Sequence, residues 1–226
     1  RWNNPKENVY DFEDLDRLMD LAHQYDLKVV INIIMDVAPA WFFKKYPESV
    51  MIHGDGRRLE PRTTAYRQIG GAPGPCYHHR RGWEIRRDFI SELARRYKDH
   101  PALYIWDLWN EPELTCGIAR EPNEEDMVCY CPDSIQAFKA WLKGKYPTIQ
   151  DLNKAWNRNY QDWDELEVPR NSHTFNDMID WRIFFAETLT NELKMRVDAV
   201  KEQDRVHPVM VHTVPMPYFN MINACS

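Results

Sequence analysis

The densest chemistry in this chain lies in ten residues, Tyr104 to Glu113 (YIWDLWNEPE), where an apolar, strand-like run ends in Asn110 and Glu111 beside tryptophans. A carboxylic acid held between aromatic walls loses hydration. That disfavours its ionised form and makes it a plausible proton donor near neutral pH. An acid among aromatic faces suggests sugar chemistry; a solvated or helix-capping Glu is the alternative. Side chains alternate along a strand, so Leu103, Ile105, Asp107, Trp109 and Glu111 are expected on one side. Ala102, Tyr104, Trp106, Leu108 and Asn110 are expected on the other, and Pro112 ends the ladder. In a parallel α/β barrel, reactive groups sit where strands end and loops begin, and Glu111 occupies such a position.

The elements that must position this pair can be read from periodicity. A helix is expected from about Phe12 to Tyr25, where Phe12, Leu15, Leu18, Met19 and Ala22 form one stripe after a candidate cap at Asp11. Lys28 to Asp36 (KVVINIIMD) is the β-branched run of a strand buried on both faces of a parallel sheet, and DVAPAW again sets an acid and Trp41 at a strand end. Residues 44–82 are rich in Gly, Pro and Arg and read as a long loop, followed by a helix over Trp83–Tyr97. Leu114 to Pro132 reads as a second long loop on the same face. Helices are expected from Ser134, from a capping signal at Thr148 to Trp156, and over Asn176–Gln203, before a strand at His207–His212.

This βα alternation predicts a parallel sheet with right-handed helical crossovers, wrapping toward a barrel. Only three good strands are present, whereas a (β/α)8 barrel needs eight in about 250 residues. The expected fold is therefore part of a TIM barrel spanning residues 1–226, with a free-standing three-layer α/β domain as the rival.

Composition narrows the function. A hydrophobic content of 43% is enough for a substantial core, and a net charge of -6 with scattered cations argues against nucleic acid. No apolar stretch of about 18 residues is present, so no membrane span is expected. Five cysteines do not read as a disulfide framework; a cytoplasmic or metal-binding use fits better, although a chain beginning at Arg1 leaves the compartment open. Nine tryptophans supply candidate sugar-stacking faces, Trp41 and Trp109 first, but packing accounts for most of such a load.

Tyr10 to Thr213 resembles the catalytic barrel of glycoside hydrolase family 42, the β-galactosidase-like members of a large clan of retaining glycosidases. The resemblance rests on YDFEDLDRLMDLAHQYDLKVVINI, PAWFFKKYPE, the WNEP segment and CYCPDSIQAFKAWLKGKYPTIQDLNKAWN. It implies that the strands here are about the third to fifth of the barrel, the first two and last three falling outside the chain. It implies that Glu111 is the general acid/base and Asn110 its partner at the sugar 2-hydroxyl. The nucleophile would lie on the seventh strand, so these 226 residues alone are expected to be inactive. The substrate would be a β-galactoside or related oligosaccharide; another clan specificity (β-glucosidase, mannanase or arabinosidase) or a non-catalytic carbohydrate-binding protein are the alternatives. No cofactor is implied for the reaction, and family members often form trimers.

Some family members hold a structural zinc with four thiolates. Cys76, Cys129 and Cys131 match three of them, but the fourth position is Ser134, whose hydroxyl is a poor replacement for a thiolate, so the fourth ligand is absent from the motif unless Cys116 or a histidine completes the shell; buried free thiols are the alternative. His78 and His79, and Arg62 or Arg67, are further candidates for facing substrate, a solvated loop charge being the plainer account of either arginine.

Overall fold

The computed structural model describes residues 4–35, 38–59, 74–110, 112, 128–170 and 175–212. Three strands, β1 (Val29–Asn32), β2 (Leu103–Asn110) and β3 (Val209–His212), form one sheet in the order β1-β2-β3 with both pairings parallel. Sequential order with parallel pairing requires crossovers. Between β1 and β2 the chain forms a short helix α2 (Ala40–Lys45), a 3-10 turn (Pro47–Ser49) and α3 (Arg80–Tyr97). Between β2 and β3 it forms α4 (Pro132–Lys145), α5 (Ile149–Trp156) and α6 (Asn176–Lys201); α1 (Glu13–Gln24) precedes β1.

One face of the sheet carries the helices. Ile31 and Ile33 of the β1 segment, with Trp106 and Leu108 of β2, are buried against Met19 and Ala22 of α1, Ile90, Leu93, Ala94 and Tyr97 of α3, and Met195, Ala199 and Val200 of α6. The opposite face is open: Val30, Ile34 and Tyr104 are 45%, 39% and 55% exposed. A second core lies under the loops at the carboxyl ends of the strands, where Trp109, Phe138, Leu142, Trp156, Trp181 and Phe185 meet the three buried cysteines.

The helices expected at Phe12, Thr148 and Asn176 form at their predicted places. Thr148 and Asp151 make the full capping box, each side chain accepting from the other residue's backbone N–H. Other elements differ: β1 spans only Val29–Asn32 of the expected Lys28–Asp36, β3 begins at Val209 instead of His207, and α4 begins at Pro132, two residues before Ser134. α3 begins at Arg80, three residues before its predicted start, because His79 Nδ1 accepts from Gly82 N at 3.1 Å and so caps it. α2 and the 3-10 turn occupy part of the expected loop 44–82, of which residues 60–73 lie outside those described.

The expected alternation along β2 also changes. The register slips once between Val29 and Val30 against Leu103 and Ile105, and again between Asp107 and Asn110 against Met210 and His212. Each slip inserts an unpaired residue and shifts the parity of the residues beyond it. Asn110 therefore pairs with His212 and stands near Asp107, instead of sharing a side with Trp106 and Leu108.

Candidate functional site

Polar side chains gather where the three strands end. Asp107 is buried, and its Oδ2 accepts from the Asn32 amide of β1 and lies 2.6 Å from His212 Nδ1 of β3. A carboxylate on the middle strand is thus bound to both neighbours. Its Oδ1 has no partner, and neither has the buried Nδ2 of Asn110. Unused hydrogen-bonding groups at a strand end are what a hydroxyl-rich ligand could satisfy. Sequence reasoning missed Asn32, Asp107 and His212; an Asp inside an apolar strand was the available signal. Glu111 lies outside the described residues, as do Arg62, Arg67 and Cys116.

The two tryptophans proposed for stacking have different settings. Trp109 is completely buried, with the Arg196 guanidinium 3.8 Å from its ring centroid and Tyr77 against it at 5.7 Å. Arg196 is held in turn by the Leu108 carbonyl at 3.0 Å and by Glu192, which also binds Arg86 through two bonds of 2.9 and 3.1 Å. Burial pushes the Glu192 carboxyl up, but the two guanidiniums outweigh that and hold it below the usual carboxylate range. Trp41 is half-buried; its Nε1 donates to the Asn4 carbonyl at 2.9 Å, and it borders a shallow groove with Lys6, Glu7, Asn8, Lys44 and Lys45.

Cys76, Cys129 and Cys131 converge with every Sγ within 4.8 Å of the others. Cys131 caps α4 by accepting from Ser134 N at 3.4 Å, and Cys76 accepts from His78 N at 3.4 Å. Hydrogen bonds from Cys129 and Cys76 pull the Cys131 thiol down, whereas those to Cys129 and Cys131, with burial, push Cys76 up. Burial pushes Cys129 up to about 12. Three buried sulfurs converging at this spacing form a donor set that suits a soft divalent cation and fit three corners of a zinc tetrahedron.

His78 does not face the strand ends. Its Nδ1 is 3.0 Å from Ser134 Oγ and its Nε2 3.1 Å from Thr188 Oγ1, and its ring stacks on Phe184. Burial pushes it down to about 4. His79 caps α3 and reaches Glu48 at 3.1 Å.

A sequential parallel sheet flanked by helices, with its polar groups gathered at the carboxyl ends of the strands, is the arrangement of a (β/α)-barrel enzyme. The chain belongs to glycoside hydrolase family 42: the family's sequence profile, described as β-galactosidase, matches residues 1–225. It is 32% identical over 216 residues to the β-galactosidase LacZ of Heyndrickxia coagulans, covering 92% of this chain and 30% of that protein. Among solved structures it is similar to β-galactosidases from Bacillus circulans sp. alkalophilus (27% identity, TM-score 0.75, 96% of this chain and 31% of that one) and Rahnella sp. R3 (26%, 0.78, 98% and 30%). The chain thus spans about a third of the length of the relatives it matches and corresponds to part of a barrel, as its strand count predicts. No helix among the described residues is long and apolar enough to cross a membrane.

Proposed function

We propose that this segment carries the proton-donating half of a retaining β-galactosidase site, with Glu111 as general acid/base and Asn110 at the sugar 2-hydroxyl. Supporting this is the family membership together with Asn110, whose unpartnered amide stands at the end of β2 directly before Glu111. Glu111 protonates the departing glycosidic oxygen while a second carboxylate, about 5 Å away, attacks the anomeric carbon from the opposite face. Glu111 then deprotonates the water that releases the sugar with retention. Trp41 is the better stacking candidate of the two tryptophans, and Trp109 acts as the packed wall that fixes the strand end. The whole protein is proposed to assemble as a homotrimer, which sedimentation equilibrium tests.

Leaving-group dependence tests the acid role. In the full-length protein, Glu111→Gln should lower kcat/KM for an alkyl β-galactoside by about 10²- to 10⁴-fold. It should spare a dinitrophenyl β-galactoside, whose leaving group departs without a proton. Equal losses on both substrates would remove Glu111 from this role.

We also propose that Cys76, Cys129 and Cys131 hold a structural zinc. Bound there, zinc would tie the loop before α3 to the start of α4, bracing the ends of the strands without taking part in the reaction.

A further inference from the structure

The proton positions around the fourth corner of the cysteine cluster can be worked out from its far end. Thr188, inside α6, donates its hydroxyl proton to the Phe184 carbonyl at 2.9 Å, the usual recourse of a threonine within a helix. With that proton committed, Thr188 Oγ1 accepts from His78 Nε2 at 3.1 Å. The ring is fixed between Phe184 at 5.0 Å and Phe185 at 5.8 Å. In the tautomer whose proton sits on Nε2, facing Thr188, Nδ1 is the accepting atom, and at 3.0 Å from Ser134 Oγ it takes the serine's proton. The lone pairs of Ser134 are therefore turned toward the sulfurs, 3.1 Å from Cys76 Sγ and 3.4 Å from Cys131 Sγ.

We infer that the Ser134 hydroxyl oxygen is the fourth ligand of the cysteine site, and that His78 holds its proton instead of binding the metal. This rests on the zinc reading above. A tetrahedron with zinc–sulfur bonds of about 2.3 Å and zinc–oxygen bonds of about 2.1 Å separates sulfur from oxygen by about 3.6 Å. Toward Cys76 and Cys131, Ser134 needs only a few tenths of an ångström of relaxation to meet that. His78 Nδ1 lies one hydrogen bond further out, its ring fixed by Thr188 and the two phenylalanines. A plain alcohol is a weak donor beside thiolates; hydrogen-bonding its proton to a fixed imidazole raises the electron density on its oxygen.

On binding, the cysteines ligate as three thiolates, the protons they hold passing to solvent, three metal–sulfur bonds and one metal–oxygen bond form, and the serine keeps its proton in the bond to His78. The filled site then carries one negative charge where four thiolates would carry two, a smaller burden for groups this deeply buried. The backbone N–H groups of Ser134 and His78 already point at Cys131 and Cys76 Sγ and support their charged forms.

Cobalt(II) tests this, because its absorption reports the donor set. The wild-type protein loaded with Co²⁺ should show a tetrahedral spectrum with the charge-transfer intensity of three thiolates. Ser134→Cys, which restores a fourth thiolate, should raise that intensity by about a third, shift the visible bands to the red and tighten binding. His78→Phe, which keeps the ring stack, should weaken Co²⁺ binding about 10- to 100-fold while leaving the band positions tetrahedral. A spectrum unchanged in Ser134→Ala overturns the inference, as does a wild-type four-thiolate intensity that Cys116→Ser abolishes. Cobalt uptake by Ser134→Cys and none by wild type removes Ser134 as a ligand while leaving the three-cysteine frame; no uptake by either removes the zinc reading itself.

Discussion

Glu192 supports the strand end through two buried arginines. It balances two buried guanidiniums, Arg86 and Arg196, and Arg196 in turn covers the face of Trp109 next to Asn110. Removing one member of a buried ionic set leaves uncompensated charge behind. Glu192→Leu is therefore expected to destabilise the protein by about 3–5 kcal/mol in urea unfolding, against a much smaller loss for Arg17→Leu, whose partner Glu13 is at the surface. None of this was legible in the sequence. Glu192 and Arg196 have the same four-residue spacing as the exposed Glu13 and Arg17, and spacing alone does not reveal which helix face turns inward. The convergence of Cys76, Cys129 and Cys131 was legible because cysteines at such spacing are uncommon, and the Asn110–Glu111 pair proposed for the site drew notice for the same reason. The contacts around them, His212 with Asp107 and Thr188 with His78, join segments far apart in the chain and carry no local signal.

At the scale of elements, helix periodicity found the long helices because an apolar stripe is a local property of one segment. The β2 register shifts escaped because they depend on which strands lie alongside. The α6–β3 connection shows how such strands are held. Asp204 accepts from Trp106 Nε1 at 2.8 Å, from the N–H groups of Val206 and His207 at 2.9 and 3.1 Å, and lies 2.8 Å from His207 Nδ1. Burial works to raise its carboxyl, but these donors prevail and hold it down at about 2. A folded-state value below the unfolded one contributes stability that is present above about pH 4 and is lost as pH falls through about 2. Wild type should exceed Asp204→Asn by on the order of 2 kcal/mol at pH 5, and urea titrations should show that gap closing toward pH 2. A gap independent of pH would assign the effect to packing. At α5, Thr148→Ala should cost about 1 kcal/mol by loss of the capping box, read from the same titrations.

At the scale of the whole molecule, the open face of the sheet sets the behaviour of these 226 residues expressed by themselves. Val30, Ile34 and Tyr104 are exposed apolar side chains of its strand segments, and uncovered apolar surface drives association. Sedimentation velocity should show concentration-dependent self-association that Tyr104→Lys reduces. In the longer relatives' architecture the same face would turn toward the inside of a barrel, so the lysine should there lower stability instead. The link through Asp107 has a bearing on this sheet as a unit. One carboxylate grips its left and right neighbours at once, so the fraying of either outer strand must break a contact with the same buried group. Amide hydrogens of Ile31 and Val211 should exchange with deuterium in step, and Asp107→Ala should let the two edges breathe at separate rates.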